Sequence, residues 1–97
     1  MSFAEFLRSS AEDAAPPAGL SRDLQALWHD ARGDWERAHA LAQEGSDPES
    51  AWVHAYLHRK EGDEANAEYW YTLADRPAGV GDWRAEWEAV ARALLAR

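Results

Sequence analysis

His54 and His58 stand four residues apart, the spacing at which two imidazoles rise from one face of a helix. With a carboxylate a turn further on, at Glu61, such a pair can hold a transition-metal ion, because neutral imidazole and carboxylate oxygen suit zinc and its neighbours. Ala55 stands where a zinc peptidase of the H-E-x-x-H type carries its glutamate, so peptidase chemistry is not expected. The same stripe, Ala51, His54, Ala55 and His58, has two other uses. Its imidazoles can donate and accept hydrogen bonds to a polar ligand near neutral pH, or can pack beside the alanines as ordinary core groups. His29 precedes His58 by 29 residues and is expected beside it. The candidate ligand- or partner-binding surface is therefore His54, His58, His29 and Glu61, with Tyr69 as an aromatic contact. The alternative metal set is His54, His58 and Glu61.

No residue is assigned a catalytic role. Ser9, Ser10, Ser46 and Ser50 lack a nucleophile-elbow context, and Gly79-Val80-Gly81 is too short for a phosphate loop. The absence of cysteine excludes thiol catalysis, disulfides and zinc-thiolate sites. Glu36, Glu61, Glu64 and Glu68 read as solvated helix residues rather than catalytic acids, and no cofactor is expected.

These side chains must be positioned by helices. Val and Ile are scarce, Ala, Leu, Glu and Arg abundant, and the four prolines fall only between or at the starts of helical patterns. An N-terminal helix is expected over 1–13, opened by a Ser2/Glu5 capping box, with Phe3, Phe6, Leu7, Ser10 and Ala11 facing inward. A linker containing Pro16-Pro17 spans 14–20. A first hairpin, 21–45, is capped by Ser21, turns at Gly33-Asp34 and stops at Gly45. A second, 47–75, starts at Asp47-Pro48 and turns at Gly62-Asp63. A C-terminal capping helix spans 82–97, with Trp83, Trp87, Val90 and Leu94 in line. In the second hairpin, Val53, Tyr56 and Leu57 are expected to face the core. The helix from Glu64 has so narrow a polar strip that it is expected to be sandwiched on several sides, against its own hairpin, the preceding one and the final helix.

Ala26, His29, Gly33, Asp34 and Ala38 match Ala55, His58, Gly62, Asp63 and Ala67 at a constant offset of 29 residues, which indicates a repeated helical hairpin. The second copy, HAYLHRKEGDEANAEYWYTLAD, resembles a tetratricopeptide repeat in its turn glycine, mid-helix alanine and late aromatic. It departs from that family in its shorter period and its missing inter-repeat proline. The resemblance covers residues 21–75. It implies an all-α fold of two stacked TPR-like hairpins flanked by the two terminal helices, and a non-catalytic protein- or peptide-interaction module. The run WERAH followed by HAYLHRKEGDEANAEYWY is also similar to a group of small bacterial proteins to which no function is assigned.

Charge narrows the partners further. Eighteen acidic residues against ten Lys and Arg give a net charge of −8, unsuited to neutralising phosphates, so neither nucleic acid nor an anionic membrane surface is expected. The opening Met1–Arg8 lacks a signal-peptide pattern, and a cytoplasmic location is the expectation. Self-association through the first helix stays open.

Overall fold

The computed structural model describes all 97 residues, Met1–Arg97. Six helices follow in order: α1 (Phe3–Glu12), α2 (Arg22–Ala31), α3 (Trp35–Gln43), α4 (Pro48–Glu61), α5 (Glu64–Ala74) and α6 (Trp83–Leu95), with no strand. Each begins at a serine or aspartate whose side chain accepts a hydrogen bond from a first-turn amide: Ser2, Ser21, Asp34, Asp47, Asp63 and Asp82. These caps satisfy donors that a helix start otherwise leaves unpaired. Ser2 and Glu5 complete a reciprocal capping box.

The two tight turns are built alike. Gly33 (φ 84°) and Gly62 (φ 94°) adopt the left-handed conformation. The amide of Asp34 reaches back to the His29 carbonyl at 3.0 Å, and that of Asp63 to the His58 carbonyl at 2.9 Å. This six-to-one closure is the Schellman pattern, and it needs a residue that tolerates positive φ.

α4 lies at the centre. α2, α3, α5 and α6 all pack on it, and every residue from Ser50 to His58 is buried. Val53, Tyr56 and Leu57 face the core as expected, each fully buried. Glu49, Arg59 and Lys60 are partly covered and only the end residues, Pro48 and Glu61, are exposed, burial on more sides than the sequence pattern indicated.

Three expectations are corrected. α5 is not sandwiched: its backbone packs on α4 alone, leaving Tyr69 59% and Leu73 50% exposed, and only the Tyr71 hydroxyl reaches α6, at Glu86. α1 and α6 do not close opposite ends of a stack. They meet each other, with Trp87 stacked on Phe6 at 5.8 Å and edge-on to Phe3 at 5.9 Å. On α1, Leu7 and Ala11 are exposed and Ser9 is buried instead, because Ser9 Oγ accepts the Trp28 indole N–H at 3.1 Å.

Two more indoles tie helices together. Trp35 Nε1 donates to the Leu57 carbonyl at 2.8 Å, joining α3 to α4, and Trp87 Nε1 donates to the Leu27 carbonyl at 3.0 Å, joining α6 to α2. Each carbonyl has a second lone pair to offer, so the helical ladder need not break.

Two substitutions separate backbone from packing effects. A Cβ at Gly62 meets nothing within 4 Å, so Gly62→Val tests conformation alone and is expected to cost about 1–2 kcal/mol. Ala67 is 3% exposed on the helix that packs on α4, and Ala67→Leu is expected to cost about 1–3 kcal/mol through overpacking. Urea midpoints at unchanged m-value measure both, and an unmoved midpoint in either variant contradicts its assignment.

Candidate functional site

A helix buried on every side must find a partner for each polar group it carries. α4 does so by recruiting its neighbours. Ser50 Oγ donates to Asp23 at 2.7 Å. The Tyr56 hydroxyl and Lys60 Nζ converge on the buried Asp30 carboxylate at 2.7 and 2.9 Å. Arg59 pairs with Glu86 at 2.8 Å. No buried side-chain nitrogen or oxygen lacks a partner.

The histidines form a different kind of group. His54 and His58 share a stripe of α4, and α3 brings His39 against them. His39 Nε2 and His54 Nε2 lie 3.0 Å apart, a hydrogen bond in which one imidazole donates and the other accepts. The three ring centroids are 4.7 to 5.0 Å from one another. His58 Nδ1 is 2.8 Å from Glu61 Oε2. The carboxylate accepts, so Nδ1 of His58 is the donor.

Two tryptophans wall the cluster. Trp70 of α5 stacks on His54, with centroids 3.8 Å apart and planes at 14°. Trp35 of α3 stacks on His39 at 4.8 Å and 9°, and meets His58 edge-on. The indole bond to Leu57 holds Trp35 in place, and Trp35 and His39 are one helical turn apart on the same face.

Burial, with help from the neighbouring imidazoles, keeps His54 and His39 uncharged. His54 is pushed down to about 4, first by burial and then by the neighbouring imidazoles of His39 and His58. His39 is lowered by burial and by His58, with Glu61 opposing. At neutral pH both are neutral.

The predicted residues divide. His54, His58 and Glu61 come together as expected, with Glu61 holding the far side of the His58 ring. His29 does not join them: it lies half-buried on α2, edge-on to Trp28 at 5.0 Å. The repeat gives His29 and His58 the same place before a turn, but on different hairpins, and equal local geometry does not bring side chains together. Tyr69 is exposed on α5 and reaches the site only through its edge contact with Trp70 at 5.2 Å. His39 was not foreseen. Its signal is Trp35-x-x-x-His39, an aromatic and an imidazole on one face, beside the inward alanines Ala38 and Ala42.

Compared with known proteins, the chain matches no family model, no curated protein and no solved structure. No helix is long and apolar enough to cross a membrane.

A pH dependence follows. An unfolded histidine takes up its proton near pH 6.5, whereas folded His54 refuses it until about pH 4. Between those values the unfolded chain binds more protons, so the stability present above pH 6.5 falls as the pH falls through that window. Urea midpoints of the wild type are expected to drop between pH 6.5 and 5, and to drop less in His54→Gln. Equal slopes in the two proteins contradict a neutral, buried His54.

Proposed function

We propose that the chain is a cytoplasmic, non-catalytic binding module for a protein or peptide, built on two TPR-like hairpins, α2–α3 and α4–α5. The observation that carries this is the uncovered outer face of α5. Tyr69 and Leu73 lie one turn apart and are more than half and half exposed, whereas large apolar groups on the other helices are mostly covered. Beside Leu73 is a depression of about 150 Å³ lined by Gly45, Pro48, Ala51 and Trp70. Ser46 and Asp47 also line this recess, so an aromatic beside it offers a partner both apolar and polar contacts.

The surrounding charge supports a particular kind of partner. Residues 62–75 and 43–51 contain no Lys, Arg or His; they carry Asp63, Glu64, Glu68 and Asp75 on one side and Asp47 on the other, where Glu44 pairs with Arg22 and Glu49 with Arg97. An apolar anchor flanked by basic residues complements such a rim, and the complementary field raises the rate of encounter. The matching turns at Gly33 and Gly62, with α3 and α2 both packed on α4, support the repeat architecture.

Selection from a displayed library of short random peptides tests the proposal. Sequences with Lys or Arg around an aromatic or aliphatic anchor are expected to be enriched. Tyr69→Ser with Leu73→Ser is expected to weaken binding of a selected peptide at least about tenfold, which is ~1.4 kcal/mol, with the melting temperature nearly unchanged. No enrichment, or binding indifferent to both substitutions, contradicts it.

A further inference from the structure

We propose that His39, His54 and His58 form a binding site for one first-row transition-metal ion, with Glu61 as the outer carboxylate that orients His58. The site is separate from the α5 surface and does not depend on what that surface binds.

The geometry carries the proposal. One nitrogen from each of the three rings can be chosen so that all lie within 4.8 Å of one another. Ligand nitrogens on a tetrahedral zinc ion are about 3.4 Å apart, given metal–nitrogen bonds of ~2.0–2.1 Å. The His39–His54 pair, at 3.0 Å, must open slightly and the others close by less than about 1.5 Å. Rotation of the rings about their side-chain bonds covers such distances, with α3 and α4 left in place.

Three further features fit an ion. The bond between His58 Nδ1 and Glu61 orients the ring from one side, and metal-bound histidines commonly have their remote nitrogen held by a carboxylate in this way. α3 and α4 hold the Nε2 atoms of His39 and His54 toward each other at 3.0 Å, so donors from two helices already converge. The flanking faces of Trp35 and Trp70 stack on the His39 and His54 rings and keep both within the cluster.

The donor set decides the class of ion. Three imidazoles suit zinc, copper, nickel or cobalt and offer nothing to magnesium or calcium, which require oxygen ligands. Three protein ligands also leave a fourth position for water or a small anion. A second set, His58, Glu61 and Asp63, shares one histidine. Its two carboxylates are exposed and Glu61 is already engaged, so it is the weaker competitor. The role of Glu61 thus differs from the one its sequence position indicates: it holds a ligand without being one.

Untagged full-length protein, stripped with chelator, is titrated calorimetrically with zinc chloride and, separately, with magnesium chloride. One zinc per chain is expected, at micromolar or tighter affinity, with no magnesium binding. His39→Phe, which keeps a ring against Trp35, is expected to weaken zinc binding at least a hundredfold. Glu61→Gln is expected to weaken it about 10- to 100-fold. Tyr69→Ser with Leu73→Ser is expected to leave it unchanged, which separates failure of this site from failure of the peptide surface. In case a variant does not fold, the wild type is also followed by histidine ¹⁵N spectra: zinc should shift the ring nitrogens of His39, His54 and His58 and leave those of His29 in place. Absence of zinc binding overturns the proposal. So does binding that survives His39→Phe or shifts His58 without His39 and His54.

Discussion

The burial of α4 along nearly its whole length is the constraint on which the rest of the structure depends. A helix in that position could be apolar throughout, yet α4 carries Ser50, His54, Tyr56, His58, Arg59 and Lys60. A buried polar group left unpaired costs about 1–3 kcal/mol, and a charged one more. Against a total stability of ~5–15 kcal/mol, a few such losses unfold a domain of this size. The neighbours are therefore not interchangeable apolar surfaces. α2 must present Asp23 and Asp30, α6 must present Glu86, and α3 must present His39. Each demand fixes the register of a helix against α4, and together they specify one packing among the many that apolar contact alone allows.

Within that scheme the histidines are the exception. Ser50, Tyr56, Arg59 and Lys60 all end on carboxylates of other helices, where the match of donor to acceptor is complete. His54 ends on another imidazole. A neutral imidazole pair satisfies one donor and one acceptor but brings no countercharge of its own, so nothing within the pair stabilises protonation. That is a poor way to build a core and a good way to prepare a cation site. The tryptophans on either side add stiffness, with Trp35 fixed by its indole bond and Trp70 by the packing of α5 on α4.

Much of the fold was legible in the residues. Ser or Asp at every helix start and glycine at the two hairpin turns mark the elements, because capping and left-handed φ are local demands met by few residue types. The 29-residue offset located Ala38 and Ala67 as the close-packed positions, and both are buried. The stripe of His54 and His58 was also visible, with Glu61 beyond it. What the sequence withheld is long-range. Nothing in the pattern of α4 says that its polar face is covered, since histidine, serine and tyrosine look the same whether solvated or paired across an interface. The partner His39 was missed because the repeat pointed to His29, and a repeat fixes equivalent places in successive units without saying which side chains from different units meet. α5 misled in the opposite sense: its aromatic richness suggested enclosure, but two of those apolar side chains face outward.

His54 is held neutral in the seam between α3, α4 and α5 by burial and by its imidazole neighbours. Long-range ¹H–¹⁵N spectra of the histidine rings, recorded from pH 7.5 downward, measure this directly. His54 is expected to keep the pattern of a neutral ring until about pH 4. A His54 ring that takes up its proton near pH 6.5, as a solvated imidazole does, contradicts the account.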